Sequence, residues 1–274
     1  MSRFEILCTT MHQKDFSKLT QMNIHADVVF ANQGCTTEYK EHLFDGHCAR
    51  MITTETRGVG NNRNLALMYA QGEICLFADD DVVYDDDMQE RILAEFDAHP
   101  DADIMIFHLD EGGDPERKQI SYSRTHKCRG LFRMPWGAVR VAFRLNAVRK
   151  ANVWFTTLFG GGCIFPAGED SMWLAEAKRK HLTFYVSKET IGKVSFAEST
   201  WFTGYDEKYF FGIGAFYQAA RPRTVWIWLV YTLFRTRGLG YLTVNKKISM
   251  FIHGRGGYRK MVSYEQWKQS VLVR

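Results

Sequence analysis

The chain has six cysteines, at 8, 35, 48, 75, 128 and 163, and no two stand at C-x-x-C spacing or in a Cys/His zinc pattern. A zinc module and a dithiol redox centre are thereby excluded. Several of these cysteines sit in apolar runs, where a free thiol behaves as a small core residue, so a reducing compartment is expected. No apolar run reaches the roughly 18–20 residues that cross a bilayer as a helix. The opening stretch Met1–Gln13 is too short, and too polar after Thr9, for a signal peptide. The expected location is the cytosol, with peripheral contact at the inner membrane face the one qualification. Charge of one sign is also lacking overall: 35 Lys and Arg face 31 Asp and Glu, a net +4. So small an imbalance does not mark a nucleic-acid binder, and none is expected as a partner. There is no internal repeat and no low-complexity linker.

What is present is core-forming residues in a repeating order. Hydrophobic residues make up 46% of the 274, enough for one large domain or one domain with an extension. Strands are predicted at Phe4–Thr9, Asp27–Ala31, Arg50–Thr54, Ile74–Ala78 and Asp103–His108, and helices at Lys14–Met22, Asn61–Ala70 and Asp86–Ala98. Strands separated by helices predict an α/β fold with a mainly parallel central sheet, whose ligands bind at the carboxyl ends of the strands. Farther on, Ala138–Arg144, Val153–Phe159 and Thr183–Ser187 read as strands, with a possible edge strand near Ile120–Ser123 and a helix from Ser171 to about Lys180.

Three stretches could carry chemistry. In "CLFADDD", an apolar strand delivers Asp79, Asp80 and Asp81 to one point. Mg²⁺ or Mn²⁺ takes one or two such carboxylates, with substrate phosphates and water completing its shell. The competing reading is a solvated acidic turn leading into a helix N-terminus. If the backbone stays extended, Asp80 points away from its two neighbours. In "TRGVGNNRN", Thr56–Asn64, two glycines precede a helix whose amides could meet an anion, and Arg57 and Arg63 could bind phosphate. The GK[ST] ending of a P-loop is absent, and an ordinary glycine-containing loop with an Asn cap is the better reading of this stretch taken alone. In "GGGCIFPAGEDSMW", Gly161 and Gly162 permit close backbone approach, while Glu169 and Asp170 either cap a helix or supply a general base.

Together these stretches resemble glycosyltransferase family 2, enzymes of the GT-A (Rossmann-like) fold. The resemblance rests on the strand–helix order from Phe4, on "GVGNNRNLALMYAQGEICLFADDD" and on the later "GED", and it covers roughly Phe4–Lys180. It is strongest to transferases encoded with bacterial capsular or other surface polysaccharides. It implies a nucleotide-diphosphate sugar donor, with UDP the expected nucleotide. Thr9, Thr10 and Asn32 would contact the nucleotide, with Arg57, Arg63, Asp79 and Asp80 beside it. Asp81, helped by Asp79, would hold Mn²⁺ or Mg²⁺. Asp170, with Glu169 beside it, would activate the acceptor. Gly161, Gly162 and Trp201 would meet that acceptor, a glycan or a lipid-linked sugar. The family's "DDGS"-type stretch is replaced by "ANQGC", Ala31–Cys35, which puts recognition of uracil in question. The Q-x-x-R-W of processive members is absent; "AESTW", Ala197–Trp201, stands nearest. Transfer of a single sugar is therefore expected, and direct displacement with Asp170 as the one base implies inversion. Two rivals stand beside this reading. A haloacid-dehalogenase-like phosphatase would use Asp79 as nucleophile in D-x-D-x-[TV], Asp79–Val83, but that motif normally opens its domain. A nucleotide-sugar-binding module without catalysis is the other.

The catalytic domain is expected over 1–216 and a basic, aromatic helical extension over 217–274. Within the extension, Val225–Phe234 is apolar and flanked by Arg221, Arg223, Arg235 and Arg237. Ten residues do not span a membrane but could lie in its interface across 221–238; a core or subunit-contact helix is the alternative.

Overall fold

The computed structural model describes residues 2–111, 122–128, 137–194 and 204–272. They pack as two compact units. One is formed by Met1–Thr156 and Asp170–Glu198, the other by Thr157–Glu169 and Ser199–Arg274. The second unit thus takes in the helix Glu207–Ala220, most of which the sequence had assigned to the catalytic domain.

The first unit is built on a sheet of ten strands: β1 (Phe4–Met11), β2 (Asp27–Gln33), β3 (Glu38–Phe44), β4 (His47–Thr54), β5 (Ile74–Asp79), β6 (Val82–Tyr84), β7 (Ile104–Asp110), β8 (His126–Lys127), β9 (Val141–Arg144) and β10 (Phe184–Val194). Their spatial order is β3-β4-β2-β1-β5-β9-β7-β10-β6, with β8 beside β10. The run β4-β2-β1-β5 is parallel, as is β7 with β10. The remaining pairs among the described residues are antiparallel, so the sheet is mixed rather than mainly parallel.

Both faces of the sheet are covered, which is why its central strands are apolar at nearly every position. Ile6, Val28, Phe30 and Leu76 join one core with Ile92 and Phe96 of α3 (Met88–Ala98). Leu7, Val29, Cys75 and Phe77 join another with Ala66 and Leu67 of α2 (Val59–Tyr69), Val148 of α4 (Leu145–Ala151) and Trp173 of α5 (Glu169–Arg179). The cysteines at 8 and 75 lie in these cores, all six cysteines are free, and burial pushes both core thiols well up.

Several expectations need correction. The helix predicted over Lys14–Met22 shrinks to one turn, α1 (Lys18–Gln21). The hairpin partner β3 was not anticipated. The first part of Ala138–Arg144 is a 3-10 turn, not strand. Val153–Phe159 is no strand, because its backbone is satisfied by a side chain: Phe155 N–H donates to Asn64 Oδ1 (2.8 Å) and Asn64 Nδ2 donates to the Phe155 carbonyl (3.0 Å). The stretch is apolar because Val153 and Phe155 plug the core beside Phe77. The edge strand expected near 120–123 falls partly outside the described residues, and Trp201 lies wholly outside them.

The second unit contains α6 (Glu207–Ala220), α7 (Val225–Arg235), α8 (Val244–Lys260) and α9 (Tyr264–Leu272). α6 and α8 cross almost backbone to backbone. A methyl group on Gly254 would sit 1.8 Å from the Phe211 carbonyl oxygen, and one on Gly214 would sit 2.1 Å from that of Phe251. Lys247 is buried and donates to the carbonyls of Thr236 and Leu239 (both 2.8 Å), closing the C-terminal end of α7.

Candidate active site

The site forms where β1 and β5 end side by side. Register places Thr9 opposite Asp79, and Thr9 Oγ1 donates to Asp79 Oδ1 at 2.7 Å. The backbone then turns: β5 stops at Asp79, and Asp80–Asp81 form the bend into β6. The alternation expected of an extended strand therefore does not apply to Asp80. Its carboxylate instead accepts from Thr10, and its backbone carbonyl from Lys18 Nζ at 3.0 Å. Lys18 also lies 3.7 Å from the Asp80 carboxylate, a role with no signal in a sequence separation of 62.

Arg63 is the centre of the arrangement. It is 2% exposed. Its Nη2 donates to both oxygens of Asp79 at 3.2 Å, and its Nη1 to Asp170 Oδ1 at 2.5 Å. Asp170 Oδ2 accepts from the Ala138 backbone N–H at 2.9 Å. One guanidinium thus joins carboxylates that are 91 residues apart in the chain. Arg63, a candidate phosphate contact, bonds to both of these aspartates.

Aromatic packing fixes the geometry. Phe77, two residues before Asp79, packs on Phe143, Phe155 and Trp173 with ring centroids 4.6, 5.1 and 5.3 Å away. Trp173 lies one helical turn after Asp170 and is 2% exposed, so it anchors the start of α5 under the strand that carries Asp79. The Arg63 guanidinium lies 5.3 Å from the Phe155 ring centroid, within cation–π range.

Electrostatics follow from that burial. Desolvation pushes the Asp170 carboxyl above the usual aspartate range; Arg63 and the Ala138 N–H oppose the rise, and Asp79 adds to it. Asp81 is also pushed up, first by desolvation and next by Asp79. A cation beside Asp81 would relieve that repulsion. Among the described residues, no group of three or more His, Cys, Asp or Glu could hold a metal ion unaided. The residues present fit an Mg²⁺ or Mn²⁺ held by one or two carboxylates and completed by substrate oxygens and water.

The other expected residues are placed as follows. Asn32 is 1% exposed, and its amide bonds run inward: Nδ2 donates to Gln13 O (2.9 Å) and Thr53 Oγ1 (3.0 Å), and Oδ1 accepts from Gln13 N–H (3.0 Å). It holds the chain after β1 against β2 and β4. Arg57 is exposed just before α2. The two glycines after it have structural tasks: Gly58 adopts φ 107°, and a methyl on Gly60 would meet Thr156 O at 2.2 Å. Asn62 went unnoticed in the sequence; it is buried and donates to Thr10 O at 3.4 Å, while its Oδ1 has no hydrogen-bond partner. Gly161, Gly162 and Glu169 belong to the second unit. There the two glycines lie in a turn closed by the Gly160 N–H to Phe165 O bond (2.9 Å), and Glu169 is buried.

A mixed sheet flanked by helices, with an acidic strand end facing a half-buried carboxylate, defines a GT-A-like transferase fold. Residues 23–158 match the family model described as "Glycosyl transferase family 2". The chain carries a glycosyl transferase family 2 domain and is an enzyme of that family. The matched region contains Arg63 and the three aspartates and ends before Asp170. Among solved structures, TarS 1-349 of S. aureus superposes with a TM-score of 0.55 at 16% identity, covering 97% of this chain and 78% of TarS 1-349. Its complex with UDP-GlcNAc gives 0.56 at 16%, covering 98% and 78%. The mannosyltransferase PcManGT from Pyrobaculum calidifontis, in complex with GDP-Man and Mn²⁺, gives 0.51 at 12%, covering 98% and 79%. At these identities the likeness is one of fold. No curated protein sequence matches the chain. The family match sets aside the phosphatase reading of Asp79.

Proposed function

We propose that the protein transfers one sugar from a nucleotide-diphosphate sugar to a hydroxyl of a glycan or lipid-linked acceptor, with inversion, in the building of a surface polysaccharide. The observation that carries this reading is the pair Asp79–Asp170 joined through Arg63, which sets a half-buried carboxylate beside the D-x-D strand end. UDP is the first nucleotide to test, since TarS binds UDP-GlcNAc; the GDP-Man complex of PcManGT makes GDP the second.

In this reading Asp170 takes the proton of the acceptor hydroxyl as that oxygen attacks the anomeric carbon. The bond to the nucleotide diphosphate breaks on the opposite face, and the configuration inverts. Arg63 opposes the rise that burial causes in the Asp170 carboxyl and orients it, while Ala138 N–H fixes its second oxygen. Thr9 and Thr10 orient Asp79 and Asp80 toward the donor. A divalent cation, when bound, supplies Lewis-acid charge to the leaving diphosphate; Asp81, helped by Asp79, would hold it. Arg57 remains as the exposed cation ahead of α2.

The test compares wild type with Asp170→Asn, measuring nucleotide release with acceptor and donor binding by thermal shift with Mn²⁺. Loss of a general base costs about 10²–10⁴-fold in turnover. The variant is expected to lose transfer on that scale while keeping the donor-induced shift. Near-normal turnover would overturn the assignment.

A further inference from the structure

We propose that the second unit docks on an anionic lipid surface through the outer face of α7. This rests on that unit alone and is independent of the transfer chemistry.

α7 is apolar on two opposite sides. Val225, Leu229 and Thr232 are buried against the unit, where Val225 and Leu229 pack with Phe251. On the other side, Trp226, Ile227, Val230 and Phe234 are 48, 67, 67 and 77% exposed. At 3.6 residues per turn these four fall within an arc of roughly 100°, a continuous stripe. A surface helix normally turns charged residues to water along that arc. At one end of the stripe the Arg255 guanidinium lies 4.7 Å from the Trp226 ring centroid.

The surrounding charge identifies the occupant. From Lys208 to Tyr264 the chain has ten Lys and Arg and no Asp or Glu. Exposed arginines stand before α7 (Arg221, Arg223) and after its start of apolar residues (Arg235, Arg237). A second copy of this unit would bring like charges together, which costs free energy. A nucleic-acid backbone would satisfy the arginines but leave Ile227, Val230 and Phe234 without an apolar partner. An anionic bilayer offers both requirements at once: headgroup charge for the arginines and acyl chains for the stripe, with the tryptophan at the boundary. The helix has 11 residues, far short of a span, and no helix among the described residues is long and apolar enough to cross a membrane. α7 therefore lies in the interface plane.

The experiment is flotation of the full chain with phosphatidylcholine vesicles, with and without phosphatidylglycerol. Two variants are compared: Ile227→Ser/Val230→Ser/Phe234→Ser, and Arg221→Gln/Arg223→Gln/Arg237→Gln. All six positions are exposed, so both variants are expected to melt as wild type does. Wild type should float with phosphatidylglycerol vesicles and fail to float with phosphatidylcholine alone. Each variant should lose about tenfold or more in vesicle affinity, the arginine variant through lost attraction to anionic headgroups and the serine variant through lost apolar burial in the interface. The proposal is overturned if wild type does not float, if it floats equally on both vesicles, or if the serine variant floats as well as wild type. It is equally overturned if the serine change splits a dimer without altering flotation.

Discussion

At the residue scale, the Arg63 guanidinium is buried and divided between Asp79 and Asp170, so in the proposed mechanism it bears directly on the base. Burial raises the Asp170 carboxyl and Arg63 pulls it back down. A base must be unprotonated to work, so activity falls as pH drops through this pKa, and the acid limb of kcat/KM lies above the ordinary aspartate range. Arg63→Gln removes the opposing cation, and the limb moves to higher pH. Arg63→Lys keeps a charge but not the two-pronged geometry. Its limb stays nearer that of wild type while kcat falls. The pH profiles of the three proteins check this; identical limbs would remove Arg63 from the mechanism. The acidic stretch of this site was legible because a strand ending in three aspartates is a local pattern. The link to Asp170 was not, since its partner arginine read equally well as a phosphate ligand. Nor was the inward use of Asn32, because nothing local reveals that Gln13 and Thr53 take up its amide.

At the scale of elements, the sequence revealed strands buried on both faces and helices with clear periodicity. It concealed elements made by long-range or side-chain bonding. β3 reads EYKEHLF and is largely exposed, as an edge strand can be, so it offered no apolar run. The Asp45–Gly46 pair that follows it, at φ 45° and 83°, was a usable hairpin signal. Val153–Phe159 misled in the opposite sense: Val153, Phe155 and Phe159 are buried, but Asn64 stands in for a strand partner at Phe155. In the second unit the α6–α8 crossing depends on the absence of side chains at Gly214 and Gly254. Gly254→Ala forces the helices apart at a backbone contact. Overpacking of this kind costs about 1–3 kcal/mol, with backbone clashes toward the upper end. The expected result is a lower melting temperature, read by thermal unfolding of the full chain. An unchanged melting temperature would mean that the crossing relaxes at no cost.

Across the whole molecule, charge is sorted along the chain. Ten of the 35 basic residues lie between Lys208 and Tyr264, where no acid occurs, leaving 25 against 31 acids elsewhere. The formal +4 therefore describes neither part: it averages a strongly cationic segment and an anionic remainder. Such a polyion behaves on a charged support by its patch and not by its mean. At its isoelectric pH, where a uniformly charged protein elutes, this one is expected to stay on a sulfonate cation exchanger and to leave it only with salt. Arg221→Gln/Arg223→Gln/Arg237→Gln should elute earlier by far more than its small change in net charge suggests. Elution of wild type in the void at that pH would show that the cationic segment is neutralised within the fold.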